Sequence, residues 1–115
     1  MCFMVNGQKI FKTSGGMFEI LYYEFEKITE EKGLIKNPEI LSFMQAMQLH
    51  SKTMFPYFDI AEYINTSILV LILLNILEEA IDKLKNEIYP SAITSFWGFY
   101  KELMVYGDEL VAQGK

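Results

Sequence analysis

The feature that most constrains this chain is an apolar run in its middle third, Ser67-Ile-Leu-Val-Leu-Ile-Leu-Leu-Asn75-Ile-Leu77. Such a run either crosses a membrane or forms the central helix of a small bundle. A spanning helix needs about 20 predominantly apolar residues. The uncharged stretch here covers only residues 63–77 and includes Asn65, Thr66, Ser67 and Asn75. Asp59 and Glu62 precede it, and Glu78, Glu79 and Asp82 follow it. No basic cluster marks a cytoplasmic side. The run is therefore expected to be a buried helix of a soluble protein, with a membrane-associated chain as the outlying alternative. Residues 1–7 carry neither a basic segment nor a long apolar one, so no export signal is read there and the cytoplasm is the expected location.

A chain of 115 residues makes one domain and can bury a core without disulfides or metal. The lone Cys2 has no internal partner, which suits a reducing compartment. Arginine is absent, and the net charge of −5 lies wholly in residues 59–115. A negative surface repels phosphate backbones, so direct nucleic-acid binding is not expected. Acids suit a basic protein partner or simply keep an apolar chain in solution; the composition leaves both open.

Local signals predict an all-α bundle of four to five helices, with residues 1–16 set apart. In that segment Asn6-Gly7, between Phe3-Met4-Val5 and Ile10-Phe11, fits a type I′ hairpin turn. Ser14-Gly15-Gly16 reads as a breaker. A first helix is expected over 17–32, with Phe18, Leu21, Phe25 and Ile28 as its core stripe and Gly33 as its left-handed cap. Asn37-Pro38-Glu39 opens a second helix over 38–50. Residues 52–56 read as a connection. A third helix is expected over 59–88, bent near Asn65-Thr66-Ser67 and apolar all round from Ile68 to Leu77. Asn75 in it reads as a buried amide. A fourth helix over 91–106 carries an apolar stripe of Ile93, Phe96, Trp97, Tyr100, Leu103 and Met104. Gly98 there invites a close backbone approach, and Gly107 reads as its cap.

Chemistry is mostly excluded. One His50 and one Cys2 cannot assemble a zinc site or a di-iron bundle. Ser14-Gly15-Gly16 lacks the strand and lysine of a phosphate loop. The pairs Glu30–Glu31 and Glu78–Glu79 point apart on a helix. No catalytic residue and no cofactor is assigned, and the chain is expected not to be an enzyme. The aromatic load is more informative, because Tyr22, Tyr23, Phe99 and Tyr106 fall off the apolar stripes. Such residues are either boundary positions or interface anchors.

A small, acidic, helical, cysteine-poor and arginine-free chain with acids and aromatics over residues 78–109 resembles bacterial immunity proteins. These are single-domain inhibitors of cognate toxins, as in contact-dependent growth inhibition. The resemblance lies in overall character and not in signature residues. It implies a toxin domain as partner, plausibly a basic nuclease, and a mechanism of steric and electrostatic occlusion. The residues it singles out are Glu78, Glu79, Asp82, Glu87, Glu102, Tyr106, Asp108 and Glu109. A homodimer is the other candidate assembly. The competing class is a small-molecule binder or regulator with an apolar pocket near Asn75 and Trp97.

Overall fold

The computed structural model describes residues 1–52 and 57–115. Chain order is β1 (Cys2–Val5), β2 (Gln8–Lys12), α1 (Gly15–Glu31), α2 (Pro38–Ser51), β3 (Tyr57–Asp59), α3 (Ser67–Leu84) and α4 (Pro90–Ala112), with 3-10 turns at Leu34–Lys36 and Ile60–Glu62. The all-α expectation is therefore corrected: among the described residues four α-helices pack with a three-stranded sheet of order β2-β1-β3. β1 pairs antiparallel with β2 and parallel with β3. The expected hairpin forms, with Asn6 and Gly7 both in the left-handed region at φ 51° and 82°, as a type I′ turn requires.

The third strand explains why the third helix starts late. Tyr57–Asp59 is extended along β1, pairing Phe3 with Phe58 and Met4 with Asp59. Phe58 is buried between Phe3 and Phe43, with ring centroids 5.8 and 5.6 Å away. Asp59 is no helix-starting residue of α3. Its Oδ1 accepts the backbone N–H groups of Asn6 at 3.2 Å and Ala61 at 3.0 Å, and its Oδ2 accepts that of Gly7 at 3.0 Å. One carboxylate thus ties the hairpin turn to the end of β3. Asn65-Thr66-Ser67 marks a helix start and no bend: the Thr66 hydroxyl accepts the Leu69 N–H at 3.2 Å.

The other boundaries follow from caps. Ser14 accepts the Met17 N–H at 3.2 Å, so Ser14-Gly15-Gly16 opens α1 where a breaker was expected. Gly33 ends it at φ 67°. Asn37 Oδ1 accepts from Glu39 and Ile40 at 3.0 and 3.2 Å ahead of Pro38. The expected connection at 52–56 lies, beyond Lys52, outside the described residues. α4 begins at Pro90 and continues through Gly107 to Ala112, so Gly107 is no cap. A Cβ at Gly107 would sit 3.0 Å from Val70 Cγ1, whereas one at Gly98 would meet nothing within 4 Å. The close approach predicted for Gly98 occurs at Gly107.

The core is continuous from sheet to helices. Phe3, Phe11 and Phe99 stack, with Phe11 and Phe99 centroids 4.6 Å apart and nearly parallel. The α1 stripe is buried as expected. On α4 the buried stripe is Phe96, Phe99, Leu103, Tyr106 and Leu110, rotated from the expected one. Trp97 and Met104 consequently face outward. Cys2 is buried in β1, and His50 Nδ1 lies 3.0 Å from the Ala46 carbonyl oxygen.

Candidate interaction surface

α3 is not apolar-in all round. Leu69, Val70, Leu73, Leu74, Ile76 and Leu77 are buried, but Ile68 is 70% exposed and Leu71 58% exposed. Asn75 is exposed as well, so it is not the buried amide expected from sequence. Ile68, Leu71, Asn75, Glu78 and Asp82 recur at three- and four-residue steps and are all exposed. They make one outward stripe. Its first half is apolar and its second half is acidic.

The apolar half forms a groove with α4. Ile68, Leu71 and Leu74 face Met104, Asp108 and Val111 across a cavity of about 340 Å³. Two features hold its walls. Gly107 has no side chain, which lets Val70 pack against the α4 backbone. The Tyr106 hydroxyl donates to the Ile64 carbonyl at 2.7 Å, just before α3 begins. Tyr106 is only 4% exposed, so it is a structural strut and not the partner anchor proposed from sequence. Burial, with Asp59 and Glu109 nearby, pushes its phenol above the ordinary value. Phe99 is likewise buried, whereas Tyr23 is exposed and Tyr22 half-buried.

The acids singled out by sequence do not form one face. Glu78 and Asp82 continue the α3 stripe, and Asp82 binds Lys85 at 2.8 Å. Glu79 is turned to the interior side of that stripe and is engaged by Lys32 at 3.0 Å and Lys83 at 3.8 Å. The expected Glu79–Lys83 pair therefore exists, joined by a link to the end of α1. Asp108 lies at the groove. Glu102 and Glu109 flank a different depression, beside Val5, Gln8 and Ile10 of the hairpin. Glu87 belongs to a third, against α1.

Ile68, Leu71, Met104 and Val111 were not singled out from sequence. The signal was present: Asn75, Glu78 and Asp82 share a helical face with Ile68 and Leu71, and polar residues there announce an outward side. Neither Asn75 nor Trp97 lines the groove, so the predicted apolar pocket between them has no counterpart in it. Among the described residues no helix is long and apolar enough to cross a membrane, and no cluster of three His, Cys, Asp or Glu could hold a metal. No protein-family model, curated protein or solved structure matches the chain.

Proposed function

We propose that the chain is a non-catalytic cytoplasmic inhibitor that binds and neutralises a basic protein partner, as immunity proteins do with their toxins. The observation that carries this reading is the outward stripe of α3, in which an open apolar groove runs directly into exposed carboxylates. Ile68 and Leu71 each have most of their side chain in water. Covering such a side chain contributes about 1.5–3 kcal/mol. Asp108, Glu78 and Asp82 add the opposite sign to a basic surface, which speeds encounter and selects the partner. A nuclease domain has a basic cleft because its substrate is polyanionic. An acidic helix pair laid across it would block substrate without any cofactor.

The test uses the product of the neighbouring reading frame as candidate partner. Co-expression is expected to give a complex and to protect cells from that product. Ile68→Asp with Leu71→Asp should weaken the complex by at least about tenfold, as loss of a central apolar anchor does. Glu78→Lys with Asp82→Lys should chiefly slow association and flatten its salt dependence. Glu79 is a poor choice for that arm, because reversing it also breaks its links to Lys32 and Lys83. Full binding by both double variants, or absence of protection, sinks the proposal.

A further inference from the structure

A second concave site lies well away from the groove, between the start of α1 and the chain that leaves α3. Its volume is about 480 Å³. Glu24 lines it and is only 6% exposed. The Glu24 Oε1 oxygen binds the Lys27 ammonium at 3.0 Å. The Oε2 oxygen is buried and has no hydrogen-bond partner among the described residues. A carboxylate oxygen withdrawn from water without a donor is costly, so a small turn of the side chain that brings it to a donor bound in the cleft is favoured.

The surroundings specify that group. Glu19 and Glu87 also line the cleft, and neither forms an ion pair with a described residue. Three carboxylates against the single ammonium of Lys27 leave a formal charge of −2. Anions are therefore repelled. A chelated metal is disfavoured, because the described carboxylates do not converge as metal ligands. The remaining wall is apolar and open: Ile20 and Tyr23 are exposed large side chains, and Ile88 is half-buried. The Tyr23 ring already serves as a platform for a cation, since the Lys27 ammonium sits 4.5 Å from its centroid.

We infer that this cleft binds an ammonium or guanidinium group carried on an apolar stem, with the charge at Glu24, Glu19 and Glu87 and the stem against Ile20, Tyr23 and Ile88. Lysine and arginine side chains have this shape, and so do free alkylamines and polyamines. The site does not rest on the inhibitor reading, because it shares no residue with the α3–α4 groove.

The test is a titration of the isotope-labelled full chain, followed by backbone amide shifts. The probes are blocked lysine and arginine amides, butylammonium, spermidine, and blocked norleucine as the neutral control. Saturable shifts at Ile20, Tyr23, Lys27 and Ile88 are expected with the cations and not with norleucine. Millimolar affinity is the expected range for such fragments, of order 1 mM. Glu24→Gln should weaken binding by roughly tenfold, a loss of one charged partner. Glu87→Gln, on the surface and harmless to folding, should weaken it a few-fold. Blocked lysine or arginine amides binding at least about tenfold tighter than butylammonium identify a protein side chain as the source. Spermidine binding at least about tenfold tighter identifies a free polyamine. Absence of shifts at the cleft, equal shifts with norleucine, or undiminished binding by both glutamine variants overturns the inference. Partner binding that survives in these variants leaves the inhibitor reading untouched, so the two proposals fail separately.

Discussion

Both ends of α3 bury apolar side chains, but the polar contacts that reinforce them differ. At its N-terminal end two contacts are buried and a third lies at the surface. Val70 packs on Gly107, the Tyr106 hydroxyl reaches the Ile64 carbonyl, and the Ser67 N–H bonds the Lys115 carbonyl at 3.1 Å. At its C-terminal end Leu77, Ala80, Ile81 and Leu84 are buried, and the polar contacts added to that packing are exposed ion pairs, Lys32–Glu79, Lys83–Glu31, Lys83–Glu79 and Lys85–Asp82. Exposed pairs contribute little and are screened by salt. Buried packing and a buried hydrogen bond respond to neither. The open apolar groove sits on the end whose side-chain hydrogen bond is buried. A surface held in one shape loses less freedom on binding, which raises affinity without new contacts.

The strongest way to break this contrast is to fill the space at Gly107. Gly107→Val should destabilise the fold by about 1–3 kcal/mol, because α3 and α4 must move apart. Gly98→Ala on the same helix should gain up to about 1 kcal/mol, since only helix propensity changes there. Urea melts of the pair check both signs. Tyr106→Phe comes next. It leaves the Ile64 carbonyl without its donor and should cost about 1–3 kcal/mol, with hydrogen exchange accelerated around residues 64–70. At the other end Glu79→Gln should cost only about 0.2–1 kcal/mol, and the difference from wild type should shrink as salt is added. If high salt instead erases the Tyr106→Phe effect, the contrast between the ends is wrong.

The smallest effect concerns pH. Burial, then the neighbouring Glu26 that accepts its hydroxyl, raises the Tyr22 phenol from 10.0 to about 12. The raised value means that the neutral phenol is favoured in the folded chain. The associated stability is complete below pH 10.0 and is lost as pH climbs through about 12. Tyr22→Phe should flatten that part of the alkaline unfolding profile and leave neutral stability nearly unchanged.

These contrasts also show what a sequence can display. Some boundaries set by their own few residues are readable: Asn6-Gly7 turns the hairpin, Gly33 ends α1, and Asn37-Pro38 starts α2; the Ser14 and Thr66 caps are equally local but read as a breaker and a bend. Where a boundary is set by distant chain, it is not readable. Tyr57–Asp59 is a three-residue strand that pairs, among the described residues, with β1, so nothing local separated it from the helix that follows. Gly98 and Gly107 look alike in sequence, and only the position of Val70 tells them apart. The rotation of the α4 stripe has the same origin. Trp97 and Met104 are as apolar as Phe99 and Leu110, and the sheet decides which of them is covered. Glu24 sits at the edge of the α1 stripe, between the core residues Leu21 and Ile28 and the outward Ile20 and Lys27, so its burial is not legible from spacing alone.

Asp59 has a consequence for the order of assembly. Its carboxylate joins groups 52 and 53 positions apart in the chain. The β1–β2 hairpin can close on its own, but an isolated hairpin is marginal in water. It gains its parallel neighbour only after α1 and α2 have brought the chain back, and long loops delay such pairing. The shortest of the described strands is therefore expected to pace folding. Asp59→Asn should slow refolding more than it speeds unfolding, visible as a larger shift of the refolding arm than of the unfolding arm of a chevron plot.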